Sequence, residues 1–148
     1  MKIILAILIL TFVLLSCNGN INEPISLTPY EQWRSLNIHN YSIEQARFCF
    51  CPNGSVKMKV IIRADTVFSV AKVSDGTLIP YPASRPYLTI DSIFSIIQNS
   101  KFDSLVIDYD PQYGYPSKLD INPQLHPVDG GILYQTSNLQ VINNVLDK

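Results

Sequence analysis

Val56-Lys57-Met58-Lys59-Val60-Ile61-Ile62-Arg63 and, two residues on, Thr66-Val67-Phe68-Ser69-Val70-Ala71-Lys72-Val73 decide the fold class. In the first run Val56, Met58, Val60 and Ile62 alternate with Lys57, Lys59, Ile61 and Arg63. A period of two puts the apolar set on one face of a strand and a largely basic set on the other. The cations read most simply as a solvated face that resists edge-to-edge pairing. The second run is a further strand, closed by Asp75-Gly76.

Upstream, Pro52-Asn53-Gly54 is a turn signal. Before it, Tyr41 to Cys51 carries Tyr41 and Ile43 on one face but Ala46, Phe48 and Phe50 on the other. A bulge, or a strand buried on both sides, accounts for that switch. Thr28-Pro29-Tyr30-Glu31 is a capping box with proline at the first helical position. It predicts a short helix to about Leu36, with Tyr30, Trp33 and Leu36 toward the core. Trp33, the lone tryptophan, is expected to dock that helix.

Downstream, Ile79-Pro80-Tyr81-Pro82-Ala83-Ser84-Arg85-Pro86-Tyr87 is a loop whose prolines forbid ladder hydrogen bonds. Thr89 caps a helix with Ile90, Ile93, Phe94 and Ile97 on one stripe. Asp103–Asp110 alternates as a strand. Pro111-Gln112-Tyr113-Gly114-Tyr115-Pro116 leads to a strand over Ser117–Ile121. A polar turn with Pro127, Gly130 and Gly131 precedes a last strand, Ile132–Leu139, and Val141–Leu146 is helical or frayed. The order α-β-β-β-α-β-β-β predicts an α+β fold, an antiparallel sheet with its helices packed on one face.

The N-terminus carries an address. After Lys2, Ile3 to Leu15 is apolar over a signal-peptide length, too short for a comfortable transmembrane helix. Leu14-Leu15-Ser16-Cys17 resembles the bacterial lipobox. That resemblance implies cleavage before Cys17, diacylation of its thiol and acylation, as by palmitate, of the new amino group. Each buried methylene adds about 0.8 kcal/mol, so three chains hold the protein on the bilayer. The expected organisation is a signal peptide at 1–16, a flexible tether at 17–27 and one α+β domain at 28–148. Asn18 stands where some bacteria place the Asp that retains lipoproteins in the inner membrane. The expected location is the cell envelope, on the outer membrane facing the periplasm.

Charge excludes one class of partner. With 11 basic and 12 acidic side chains, net −1, the chain has no electrostatic footprint for nucleic acid. Once lipid claims Cys17, Cys49 and Cys51 remain of the three cysteines, an even number for an oxidising compartment. In an ideal strand their Cα atoms stand about 6.6 Å apart, near the upper limit for a disulfide. A bend at Pro52-Asn53-Gly54 brings them into range. So small a loop gains only about 1.5 kcal/mol of chain entropy. A structural clip at a hairpin end is the plainer reading and a thiol-redox role the sharper one. Arg47, two residues before Cys49 and able to share its face, is a source of thiol pKa depression. His39 and His126 lie far from the pair in sequence, with no ligand-like spacing for zinc.

Other chemistry is thin. Asp108, Asp110, Asp120 and Asp129 invite a cation, and a cation-dependent hydrolase is the third reading. Taken as an EF-hand from Asp108, the loop has Tyr113 where glycine belongs and Leu119 where glutamate belongs. Asp108 and Asp110 are read instead as a polar strand position and a turn-initiating residue. No G-x-S-x-G and no phosphate-cradling glycine loop is present. No cofactor is implied.

Trp33, Tyr41, Cys49-x-Cys51, Tyr109-Asp110-x-x-Tyr113-Gly114-Tyr115-Pro116, Asp120 and Asp129 together resemble an uncharacterised bacterial domain family of unknown function, whose members are mostly small lipoproteins and exported proteins. The resemblance spans roughly residues 30–136. Val128-Asp129-Gly130-Gly131 departs from it by lacking a second acid after Asp129. It implies an envelope setting and no activity. The leading expectation is therefore a lipid-anchored, non-catalytic domain that binds an envelope protein or a small ligand. Its candidate surface is Tyr81, Arg85, Tyr87, Tyr113 and Tyr115, because loops on a rigid scaffold carry function and Tyr and Arg concentrate affinity.

Overall fold

A computed structural model describes residues 26–101 and 103–143. The expected signal peptide, Cys17, most of the expected tether and residues 144–146 of the tail lie outside the described residues. The fold is mixed α+β and mainly sheet. Helix α1 (Pro29–Ser35) is followed by strands β1 (Tyr41–Phe48), β2 (Met58–Arg63) and β3 (Thr66–Lys72). Helix α2 (Ile90–Asn99), β4 (Leu105–Tyr109), β5 (Pro116–Ile121), a 3-10 helix (Pro123–Val128) and β6 (Ile132–Val141) complete it. The six strands form one sheet in the order β3-β2-β1-β6-β5-β4, antiparallel at every pairing.

The capping box forms in full. The Thr28 hydroxyl accepts the Glu31 N–H, and the Glu31 carboxylate accepts the Thr28 N–H at 2.8 Å. Those bonds to Thr28 hold the Glu31 carboxyl below its usual range. Trp33 is buried and meets Tyr41 edge-on at 5.5 Å, and Tyr30 meets Phe94 of α2 at 5.0 Å. Leu36 is not a core residue. It caps the helix, half-exposed, and Asn37 at φ 51° turns the chain away there.

β1 is central, flanked by β2 and β6, and is buried on both faces over most of its length. A bulge is present as well. The pairing with β6 shifts between Ser42 and Glu44, opposite Asn138, which takes φ 53°. The strand ends at Phe48 rather than Cys51, because the Cys51 N–H turns back to the Cys49 carbonyl at 2.8 Å.

β2 alternates as its sequence dictates, with Met58, Val60 and Ile62 buried and Lys59 and Arg63 exposed. It joins β3 through Ala64 and Asp65, both at positive φ as a type I′ turn needs. Arg63 is not merely solvated, since its guanidinium covers the exposed Phe68 ring at 4.2 Å. Thr89 caps α2, and Ile90, Ile93 and Phe94 are buried. The segment read as a polar turn before β6 is a 3-10 helix, bracketed by Asn122 and Asp129 in left-handed conformations.

Candidate functional site

Two sites lie at opposite ends of β1, about 25 Å apart along an eight-residue strand. The first is a cleft of about 440 Å³ at the Tyr41 end. Its aromatic wall comes from Tyr30, Trp33 and Phe94, and its polar rim includes Arg34, His39, Asp65 and Asp91. The antiparallel pairing of β1 and β2 builds it by returning the Ala64-Asp65 turn to the residues just before β1. There the Asn40 side chain accepts the Ala64 N–H at 3.0 Å, and the His39 carbonyl accepts the Asp65 N–H at 3.1 Å. His39 Nδ1 then lies 2.8 Å from Asp65 Oδ2, and Nε2 lies 3.1 Å from Asn37 Oδ1. Across the rim the exposed Arg34 stands 3.9 Å from the partly buried Asp91.

The second site is at the Phe48 end. Cys49 and Cys51 stand at disulfide distance, with Cα atoms 5.3 Å apart. The bend after Phe48 has shortened the separation that an ideal strand imposes. Gly54 permits it, since a Cβ there would meet the Cys49 carbonyl oxygen at 2.6 Å. Arg47 shares the face of Cys49, and its Nη2 lies 3.6 Å from the Cys49 Sγ. Arg47 is 8% exposed, and its guanidinium sits over the rings of Tyr87 and Tyr134 at 5.8 and 5.9 Å. It forms no ion pair among the described residues, and its Nε has no hydrogen-bond partner. Among the described residues the buried Tyr87 hydroxyl and Thr136 Oγ1 also lack one. Burial pushes the Tyr87 hydroxyl pKa up, against the pull of Arg47.

His126 is also here, despite its distance in sequence. Phe48, Cys49, Phe50, His126 and Gly131 line a cavity of about 240 Å³. The 3-10 helix turns the His126 ring back to β5, where Nε2 lies 2.7 Å from Asp120 Oδ1. Gly131 gives the ring room, because a Cβ there would meet His126 Nδ1 at 3.0 Å.

The aromatic loops divide. Tyr81 and Arg85 are exposed. Tyr87 and Tyr115 are buried, so neither belongs to an exposed binding surface. The Gln45 side chain clamps the backbone of Leu88, accepting its N–H at 2.9 Å, and draws Tyr87 down onto Arg47. Tyr115 joins the core just before Pro116 enters β5. Tyr113 is half-buried and stacks with Tyr115 at 6.4 Å. Their loop docks α1, since Gln32 Nε2 donates to the Gln112 carbonyl at 3.0 Å. Asp110 initiates the turn, its Oδ1 accepting the N–H groups of Gln112 and Tyr113 at 2.9 and 2.8 Å. Among the described residues no three His, Cys, Asp or Glu side chains gather as a metal site, so Asp108, Asp110, Asp120 and Asp129 do not converge.

Sequence reading missed the His39–Asp65 and Asp120–His126 pairs. The signal for the first is the two-residue spacing between β2 and β3, which returns Asp65 to the start of β1. For the second it is the Pro-flanked run after Asn122. A sequence model of a family of unknown function, DUF6174, matches residues 28–141, nearly the span carrying the Cys-x-Cys and Tyr-Gly-Tyr-Pro motifs. No curated protein and no solved structure matches the chain.

Proposed function

We propose a function from the premise that the chain belongs to the DUF6174 family, a family of unknown function: it is a lipid-tethered protein of the bacterial cell envelope with a non-catalytic binding cleft. Acylated Cys17 holds it on the outer membrane, facing the periplasm, and the cleft at the Tyr41 end of β1 takes a small polar ligand. In this reading both helices lie on one face of the sheet. The contacts of Tyr30 with Phe94 and of Trp33 with Tyr41 support that arrangement.

One observation carries the reading. The cleft combines an aromatic wall with charges of both signs, within the size range of small-molecule sites. Arg34 and His39 suit a carboxylate, Asp65 and Asp91 suit an ammonium or hydroxyl, and the rings suit an apolar edge. A free amino acid, a dipeptide or a sugar has that pattern. The exposed Tyr81 and Arg85 offer a separate contact for an envelope protein.

The test is an NMR titration with a panel of amino acids, dipeptides and mono- and disaccharides. Shift changes should concentrate on Arg34, Asn37, His39 and Asp65, and Arg34→Ala should abolish them. A panel that moves no cleft resonance, or moves resonances without regard to the cleft, would refute the ligand site.

A further inference from the structure

We propose that Cys49 and Cys51 form a thiol–disulfide exchange site, in which Cys49 bonds the substrate sulfur, Cys51 is the thiol that leaves when it does, and Arg47 holds the released Cys49 as a thiolate. The site is independent of the cleft and would stand if the cleft bound nothing.

The first support is the unpaired cation. Holding a buried charge without an ionic partner is unfavourable, and the two tyrosine rings offset only part of that. Arg47 makes no ion pair among the described residues, yet its Nη2 is 3.6 Å from the Cys49 sulfur. In the disulfide that sulfur is a weak, neutral acceptor. In the reduced protein it becomes the counter-charge that Arg47 lacks. Reduction is thereby favoured, which makes the disulfide the better oxidant. A mere clip has no use for a buried cation at its sulfur.

The second support is access. Cys49 lines the 240 Å³ cavity with Phe48, Phe50 and His126. Phe50, between the two cysteines, is 78% exposed and offers an apolar shelf beside the bond. His126, fixed by Asp120, supplies an imidazole that takes the proton of an incoming thiol. The groups facing Cys49 are therefore Arg47 and His126, with Tyr87 and Tyr134 beneath the guanidinium and Asp120 behind the imidazole. The substrate that fits is a peptide dithiol with an apolar residue near its cysteine.

The exchange balances without another reagent. A substrate thiol loses its proton to His126 and attacks the Cys49 sulfur. The Cys49–Cys51 bond breaks, and Cys51 leaves as a thiolate and is protonated. The second substrate thiol, deprotonated in turn, attacks the substrate sulfur of the mixed disulfide, and Cys49 leaves as the thiolate paired with Arg47. Two electrons pass from the dithiol to the cysteine pair. The substrate ends as a disulfide, and one proton is released because Cys49 stays ionised.

The experiment uses the detergent-solubilised full chain, with oxidised glutathione as probe and peptide mapping by mass spectrometry to assign the modified cysteine. In Cys51→Ser, Cys49 should capture glutathione at pH 7 about tenfold faster or more than Cys51 does in Cys49→Ser. Its thiolate absorbance should develop well below the free-cysteine value of about 8.5. Added to Cys51→Ser, Arg47→Gln should return that titration to the free-cysteine range, while Arg47→Lys should keep it depressed. His126→Asn should slow capture of a peptide thiol by the oxidised chain without moving the titration. Equal, slow capture by both cysteines, with Cys49 titrating near 8.5, would leave only a clip and overturn the proposal. If Arg47→Gln does not fold, the Cys51→Ser titration decides alone.

Discussion

The Tyr41 hydroxyl accepts the amide N–H of Ile90 at 2.9 Å, with both residues fully buried. The bond ties the first residue of β1 to the first residue of α2 across 49 positions of sequence. It satisfies one of the amides that a helix N-terminus leaves without an intrahelical partner. Tyr41→Phe keeps the ring against Trp33 and removes that acceptor. The expected loss is about 1–3 kcal/mol, the cost of stranding a buried donor. Urea unfolding measures it, and unchanged stability would mean that the Ile90 amide finds another partner.

Gly114→Ala tests the docking of α1. Gly114 holds φ 75°, and a Cβ there would lie 2.6 Å from the Pro29 carbonyl oxygen at the first position of that helix. The left-handed backbone alone costs a side-chain-bearing residue about 1–2 kcal/mol, and the clash adds to it. The variant should lose more than Tyr113→Phe does. Its Trp33 emission should shift to the red as α1 lifts. A variant with native stability and emission would show that the loop does not seat the helix.

Alkali should unfold the domain through its buried tyrosines. Burial pushes the Tyr115 pKa up to about 12, with the Asp110 carboxylate adding to the shift. Burial also raises that of Tyr41, opposed by its bond from Ile90. A folded pKa above the unfolded value of about 10 means that ionisation favours the unfolded chain. The contribution is whole below pH 10 and is lost as pH climbs through 12. Tm should fall steadily over that window, and more gently in Tyr115→Phe. Equal slopes would remove Tyr115 from the account.

Much of this was legible locally. The capping box at Thr28–Glu31, the Thr89 cap with its apolar stripe, and the alternation of β2 need only neighbouring residues to be read, and each formed. What depended on pairing was not legible. Tyr87 and Tyr115 read as exposed loop aromatics, because nothing nearby in sequence reveals the Gln45 clamp or the entry of Pro116 into the sheet. Leu36 read as core because helical spacing cannot show where Asn37 turns the chain. His126 read as remote from Cys49 because β6 places Leu133 beside Phe48 from 85 residues away, and the 3-10 helix before it comes along. The Arg47–Cys49 relation was within reach, since two residues in one strand share a face.

The proposed tether has its own test. Intact mass of protein extracted from membranes should show loss of residues 1–16 and added acyl mass on Cys17. Cys17→Ala should leave an uncleaved or soluble chain. Unmodified Cys17 in the native mature protein would remove the anchor from the proposed function.

The position of β6 decides when this protein can fold. It lies between β1 and β5, so without it the sheet is two unconnected three- and two-stranded fragments, β3-β2-β1 and β5-β4. A chain stopped before Ile132 should give the circular dichroism of an unfolded polypeptide, and native-like signal from it would refute this. The sheet therefore closes only after its last strand arrives, long after β1 has been made, and pairing at such sequence separation is slow. Under the proposed function, a chain threaded through an export channel N-terminus first would stay pliant throughout its passage, and the closing strand would deliver the fold on the far side.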